Sequence, residues 1–178
     1  MITLTRITTP DSDSYLFAEQ LITTSFPQDE YRPLDEQRHI TALEPRFHLM
    51  QASDEGRRIG IISFWELDDI CYVEHFATLE PERGKGFGSE IMRQLQAIKQ
   101  QIVLEVEEPT NELTRRRINF YKRQGFTLCP TPYTQPPYRK GGNSVPMLLM
   151  FHGCLPTDDI FEKTRKEIYK NIYGIKEI

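Results

Sequence analysis

The heptapeptide Arg83-Gly84-Lys85-Gly86-Phe87-Gly88-Ser89 sets glycines at alternate positions beside two cations. Glycine has no Cβ, so such a stretch turns tightly and leaves its amide groups uncovered. Helical spacing begins inside it, with Phe87, Ile91, Leu95 and Ile98 on one face. Unpaired amides at a helix N-terminus, with the macrodipole behind them, favour an anion. Arg83 and Lys85 add formal positive charge, so the stretch is built to cradle a phosphate. A dinucleotide fold also uses a glycine-rich turn, with an acidic residue ~20 positions on, and Glu105 stands near that distance. Against that rival, Ser89 occupies the place of the third glycine and the unit follows an antiparallel-looking hairpin. No Gly-Lys-Ser/Thr is present, which excludes a nucleoside-triphosphate loop.

The elements that must hold this loop read in order. Ile2–Ile7 alternates as a first strand, and Tyr15 to Ile22 carries helical spacing after the capping residues Ser12 and Asp13. A short helix is expected over Leu34–Leu43, while Tyr31, Arg32 and His39 give no chemical signal. Phe47–Ala52 and Arg58–Leu67 form a hairpin about Ser53-Asp54-Glu55-Gly56. Ile70–Leu79 is the strand that leads to the glycine loop. Gln101–Glu107 follows the loop helix as a strand, then a helix from Glu112 to Arg123, capped by Asn111 and closed by Gly125. Phe126–Cys129 is a short strand, Pro130–Pro146 a proline-rich irregular loop, and Met147–His152 a buried strand. A terminal helix over about 158–172 places Ile160, Ile168 and Ile172 on one face, to dock on the domain or to serve a homodimer.

A chain of 178 residues with 38% hydrophobic and 27% charged residues fits one soluble domain, 1–178. Its net charge of −4 argues against nucleic acid as the main partner. Cys71, Cys129 and Cys154 cannot all pair and lack zinc-ligand spacing, so no metal and a reducing, cytoplasmic setting are expected. No apolar run approaches the ~20 residues that span a bilayer, and no membrane role is expected.

Arg83-Gly84-Lys85-Gly86-Phe87-Gly88 matches the R/Q-x-x-G-x-G/A signature of the GNAT superfamily, the acetyl-CoA-dependent N-acetyltransferases. Phe120-Tyr121-Lys122-Arg123-Gln124-Gly125-Phe126 resembles that superfamily's second marker, a helix ending in Tyr-x-x-x-Gly-Phe. The resemblance implies an α/β domain with a mixed, mostly antiparallel, centrally splayed sheet and helices on both faces. It implies acetyl-CoA as co-substrate and an amine acceptor attacking the thioester directly in a ternary complex. The backbone of Arg83, Gly84, Lys85, Gly86, Phe87, Gly88 and Ser89 would hold the pyrophosphate. Amides of Phe76, Ala77 and Thr78 would meet the pantetheine arm and polarise the thioester carbonyl. Where such proteins often carry a pantetheine-holding asparagine, this chain has Thr114, and Asn111 reads as a helix cap.

Two side chains are assigned chemistry. Tyr121 lies where the family places a phenol beside the cofactor sulfur, a proton donor for the departing thiolate. Glu74, on the strand leading to the loop, is the candidate base for the ammonium group, or else a structural acid paired with an Arg or His. Alternation puts it on the face of Tyr72, Phe76 and Thr78, opposite Val73, His75 and Ala77. Glu105 is the second candidate base and Glu107 the third. His75 reads as a structural histidine. Arg115, Arg116 and Arg117 read as a solvated face, one of which could meet a phosphate. The Pro130–Pro146 loop is expected to border the acceptor pocket through Tyr133 and Tyr138. Two other classes fit the loop: an acyl-CoA sensor without turnover, and a nicotinamide-dinucleotide oxidoreductase.

Overall fold

A computed structural model describes residues 1–175. Strands β1 (Ile2–Ile7), β2 (Phe47–Asp54), β3 (Arg57–Glu66), β4 (Cys71–Thr78), β5 (Ile102–Glu107), β6 (Thr127–Leu128), β7 (Tyr133–Gln135) and β8 (Val145–His152) form one sheet. Its order is β1-β2-β3-β4-β5-β8-β6, with β7 also paired to β8. Every pairing is antiparallel except β4 with β5. A dinucleotide fold needs an open, mostly parallel sheet, and this topology removes that rival.

Helices α1 (Asp13–Ser25) and α5 (Asp158–Ile172) cover one face, and α3 (Phe87–Ile98) and α4 (Glu112–Arg123) the other. On the first face, Tyr15, Ala18 and Ile22 of α1 and Phe161 and Ile168 of α5 meet Phe47, Leu49, Trp65, Val103 and Phe151. On the second, Ile91 and Leu95 of α3 and Ile118 and Tyr121 of α4 meet Ile62, Phe64, Val73, Leu104 and Met150. The apolar face of α5 is therefore used within the chain. The short helix α2 (Leu34–Leu43) packs beside β2. Ile98, assigned by spacing to the buried face of α3, is 68% exposed because the helix ends there. The irregular loop expected over Pro130–Pro146 is partly ordered: Tyr133–Gln135 forms β7 against Val145–Met147. Prolines bracket that three-residue strand and keep it short. Among the described residues no helix is long and apolar enough to cross a membrane.

The sheet opens between β4 and β5. They pair only at Cys71–Ile102, Tyr72–Val103 and Val73–Leu104, then diverge, although they continue to Thr78 and Glu107. The divergence begins where β4 is bulged. Opposite Ser63 and Phe64 the register jumps from His75 to Val73 and leaves Glu74 as the extra residue. A bulge bends its strand and raises the local twist, which carries the end of β4 away from β5.

Candidate active site

The gap between the splayed strands is a cleft of about 520 Å³. Phe76, Ala77 and Thr78 of β4, with Glu74, line it together with Arg83, Gly84 and Gly88 of the glycine loop; Glu105 and Glu107 of β5, Phe120 and Tyr121 of α4, and Glu30, Gln135 and Tyr138 complete the lining. Strand geometry decides which amides face it. The His75 amide donates to Ser63 Oγ at 3.1 Å and the Leu79 amide to the Ile59 carbonyl at 2.9 Å, both on β3. Alternation then turns the amides of Phe76 and Thr78 into the gap and that of Ala77 towards β3. Ala77 meets the cleft through its methyl group.

Gly84 and Gly86 adopt φ of +79° and +84°, the left-handed region that glycine enters without strain. Gly86 is the N-cap of α3 and supplies no side chain to its first-turn amides. The stretch thus has the left-handed turns and the uncapped first-turn amides that the expected cradle requires. Its charges differ from expectation. Glu82 is buried and pairs with Arg57 and, at 3.1 Å, with Lys85, so the Lys85 charge is engaged by a carboxylate. Arg83 remains at the cleft. Ser89 accepts a hydrogen bond from Gln124 at 3.1 Å, which ties the loop helix to the end of α4.

Tyr121 is 7% exposed, packed edge-on against Phe120 and Phe126, and lines the cleft. Burial pushes its phenol up to about 12, so it stays protonated at neutral pH. Thr114 is committed to the helix: its hydroxyl accepts from the Asn111 amide at 3.2 Å, and Asn111 Oδ1 accepts from the Thr114 amide at 3.0 Å. This reciprocal cap leaves Thr114 no free hydroxyl for a pantetheine arm.

Glu74 is an enclosed structural acid in this geometry. Its side chain is 0% exposed. Arg32 clasps it with both terminal nitrogens, one at 2.9 Å; Trp65 Nε1 donates at 3.1 Å and Tyr138 Oη at 2.9 Å. Burial alone would raise this carboxyl, but the Arg32 charge, with His75 and hydrogen bonds from Arg32 and Trp65, holds it below the usual value. Arg32 is 1% exposed and lies over the rings of Trp65, 5.6 Å away, and Tyr138, 5.1 Å away. A carboxylate so saturated is a poor base, because each donor favours its ionised form.

The bulge also overturns the expected faces of β4. Glu74 and His75 both reach the side of α1 and α2: the His75 ring packs on Phe26, and Nε2 lies 2.9 Å from the Glu30 carbonyl oxygen. Phe76 falls instead with Val73 on the other face. His75 is 1% exposed and depressed by burial, as a structural histidine should be.

Glu105 meets the opposite environment. It lines the cleft from β5, and burial pushes it up to about 7. Tyr133 donates to its Oε1 at 2.5 Å, Tyr173 lies 3.3 Å from both oxygens, and the Tyr72 phenol faces it from β4. These phenols oppose the rise, and among the described residues no cation is a hydrogen-bond partner of Glu105. Glu30 is likewise pushed up to about 7, by burial and then by the charge of Glu107. Glu107 pairs with Arg117 at 2.6 Å. Arg117 therefore lines the cleft instead of lying on a purely solvated face.

The profile of the acetyltransferase (GNAT) family matches residues 15–126, well over half of the chain. The chain belongs to the GNAT family of acetyltransferases. It is 32% identical over 159 residues to YjbC of Bacillus subtilis (strain 168), a candidate acetyltransferase, covering 83% of this chain and 80% of that one. A solved candidate GNAT acetyltransferase from Bacteroides thetaiotaomicron superposes with a TM-score of 0.92 at 42% identity, covering 98% of this chain and 99% of the other. A GNAT acetyltransferase from Elizabethkingia anophelis, solved with acetyl-CoA bound, shares the fold at 15% identity and a TM-score of 0.57, over 85% and 97% of the two chains. The GNAT sheet, open between its central strands, is thus the frame of this cleft.

Proposed function

We propose that this chain moves an acetyl group from acetyl-CoA to a primary amine, by direct attack in a ternary complex. One observation carries the reading: a single cleft combines an anion cradle, free β4 amides, a protonated phenol and a carboxyl near neutrality. The amides around Gly84–Ser89 would bind the pyrophosphate. Those of Phe76 and Thr78 would meet the pantetheine arm and the thioester oxygen, with Phe76, Ala77 and Thr78 forming that wall. Glu30, Glu105 and Glu107 give the cleft a carboxyl-rich lining suited to an amine.

Glu105 takes the role of base in place of Glu74. A free amine holds its proton with a pKa near ~10. Passing it to a carboxyl near 7 is uphill by about 4 kcal/mol, at 1.36 kcal/mol per unit. Glu74, held below the ordinary carboxylate range, would face a larger gap, and its carboxylate is enclosed by Arg32, Trp65 and Tyr138. Tyr121 gives its proton to the sulfur as the carbon–sulfur bond breaks and is reprotonated by the second proton that the nitrogen sheds on becoming an amide, while Glu105 releases the first proton to solvent after the products leave. The acceptor is a small-molecule or protein amine, and the chain acts in the cytoplasm on neither nucleic acid nor membrane.

The test is a panel of amines incubated with protein and acetyl-CoA, read by thiol release, with acetyl-CoA binding followed by calorimetry. Turnover with at least one amine supports the reading. Acetyl-CoA binding without turnover on any amine would make the chain a sensor, and absence of binding would refute the cofactor assignment.

A further inference from the structure

Glu105 sits among hydroxyls from four other elements, and most come from outside the family match at residues 15–126. Tyr72 and Glu74 approach from β4, Tyr133 from β7, Tyr138 from the β7–β8 loop, and Tyr169 and Tyr173 from the end of α5. Arg32 faces the group through its ion pair with Glu74 and through the Tyr138 ring, 5.1 Å away. Most of these groups have fixed commitments. Tyr133 donates to Glu105, Tyr138 donates to Glu74, and Tyr169 donates to the Thr134 carbonyl.

Tyr173 differs. Its hydroxyl lies 3.3 Å from both Glu105 oxygens and 3.4 Å from the Tyr138 hydroxyl. A phenol has one proton to donate and lone pairs to accept with. When Glu105 is ionised, Tyr173 can donate to it. When Glu105 carries a proton, that O–H can donate to Tyr173, whose own proton then turns to the Tyr138 oxygen. Both states of Glu105 are satisfied with no movement beyond rotation of one hydroxyl.

We propose that Tyr173, at the C-terminal end of α5, is a positioning residue for Glu105, whose swivelling hydroxyl serves both protonation states of the base. The inference rests on Glu105 being the base of the proposed transfer. It gives α5 a part in the chemistry as well as in packing. Donation to the ionised carboxylate is charge-assisted and roughly twice as strong as the bond accepted from the neutral acid, so loss of the hydroxyl costs the ionised form more and raises the midpoint at which Glu105 titrates.

The experiment compares Tyr173→Phe with Tyr169→Phe, a neighbouring phenol on the same helix whose hydroxyl points to backbone. Two readouts are taken: the pH profile of kcat/KM on the best amine, and the Glu105 titration by carbon NMR of labelled glutamate, assigned with Glu105→Gln. The charge-assisted bond exceeds the neutral one by an amount equivalent to about one pH unit. Tyr173→Phe should move both midpoints up by up to that amount, and Tyr169→Phe should move neither. An unmoved Glu105 titration in Tyr173→Phe, or an equal shift in Tyr169→Phe, overturns the proposal. A shifted NMR titration with an unshifted rate profile would retain the contact and overturn the assignment of Glu105 as base.

Discussion

Replacing Glu105 by Gln should change how stability depends on pH. The carboxyl is pushed from 4.5 to about 7 by burial. Between those values the folded chain holds a proton that the unfolded chain has lost, so stability falls as pH rises. The loss begins near the unfolded value, is complete above the folded one, and amounts to about 3 kcal/mol at 1.36 kcal/mol per unit. The usual salt-bridged acid behaves oppositely, because its folded pKa is depressed. Gln fills nearly the same volume and can accept from Tyr133, but it does not titrate. Urea unfolding at about pH 5 and about pH 8.5 should therefore show Glu105→Gln gaining ~3 kcal/mol on the wild type between the two conditions. Glu30, raised in the same direction, contributes to both proteins and cancels in the difference. Parallel stability curves would mean that Glu105 is an ordinary carboxylate, and the base assigned to it would lose its physical ground.

Arg32→Met should destabilise the fold by about 3–5 kcal/mol, because it leaves the enclosed Glu74 carboxylate unpaired; adding Glu74→Leu should restore most of that in denaturant titrations. Gly86→Val forces a β-branched residue to φ +84°, which costs roughly 1–2 kcal/mol. It should also weaken acetyl-CoA by about tenfold or more in calorimetry, while circular dichroism shows a folded protein. Thr114→Ala should cost ~1 kcal/mol of thermal or urea stability through the lost cap and leave acetyl-CoA affinity unchanged, since its hydroxyl is already paired to Asn111.

The glycine loop, the α3 periodicity and the Tyr121–Phe126 marker were legible because their causes are local. A left-handed glycine, a cap and a 3.6-residue stripe are each written within a few positions. The second half of the site was not, because its partners are distant in sequence. Arg32 meets Glu74 across 42 positions, and Tyr173 meets Glu105 across 68. Read alone, Arg32 is one more cation in a polar stretch and Tyr173 one more aromatic after a helix. The misplaced faces of β4 have a different origin. Alternation presumes unbroken pairing, and the bulge at Glu74 depends on how β3 lies against it. That same bulge marks where the cleft opens, so the residue that alternation describes worst is the one that shapes the site.

The chemical account rests most directly on Tyr121. Wild type and Tyr121→Phe should be followed side by side with acetyl-CoA and the identified amine, measuring thiol release and acetylated amine together. The wild type should form the two products in equal amounts. Loss of the hydroxyl should lower kcat by ~10²-fold, the low end for general-acid assistance because a thiolate leaves readily. Acetyl-CoA binding should hold, since the phenyl ring keeps its packing against Phe120 and Phe126. Equal kcat for the two proteins, or thiol release without acetylated amine, would contradict the account.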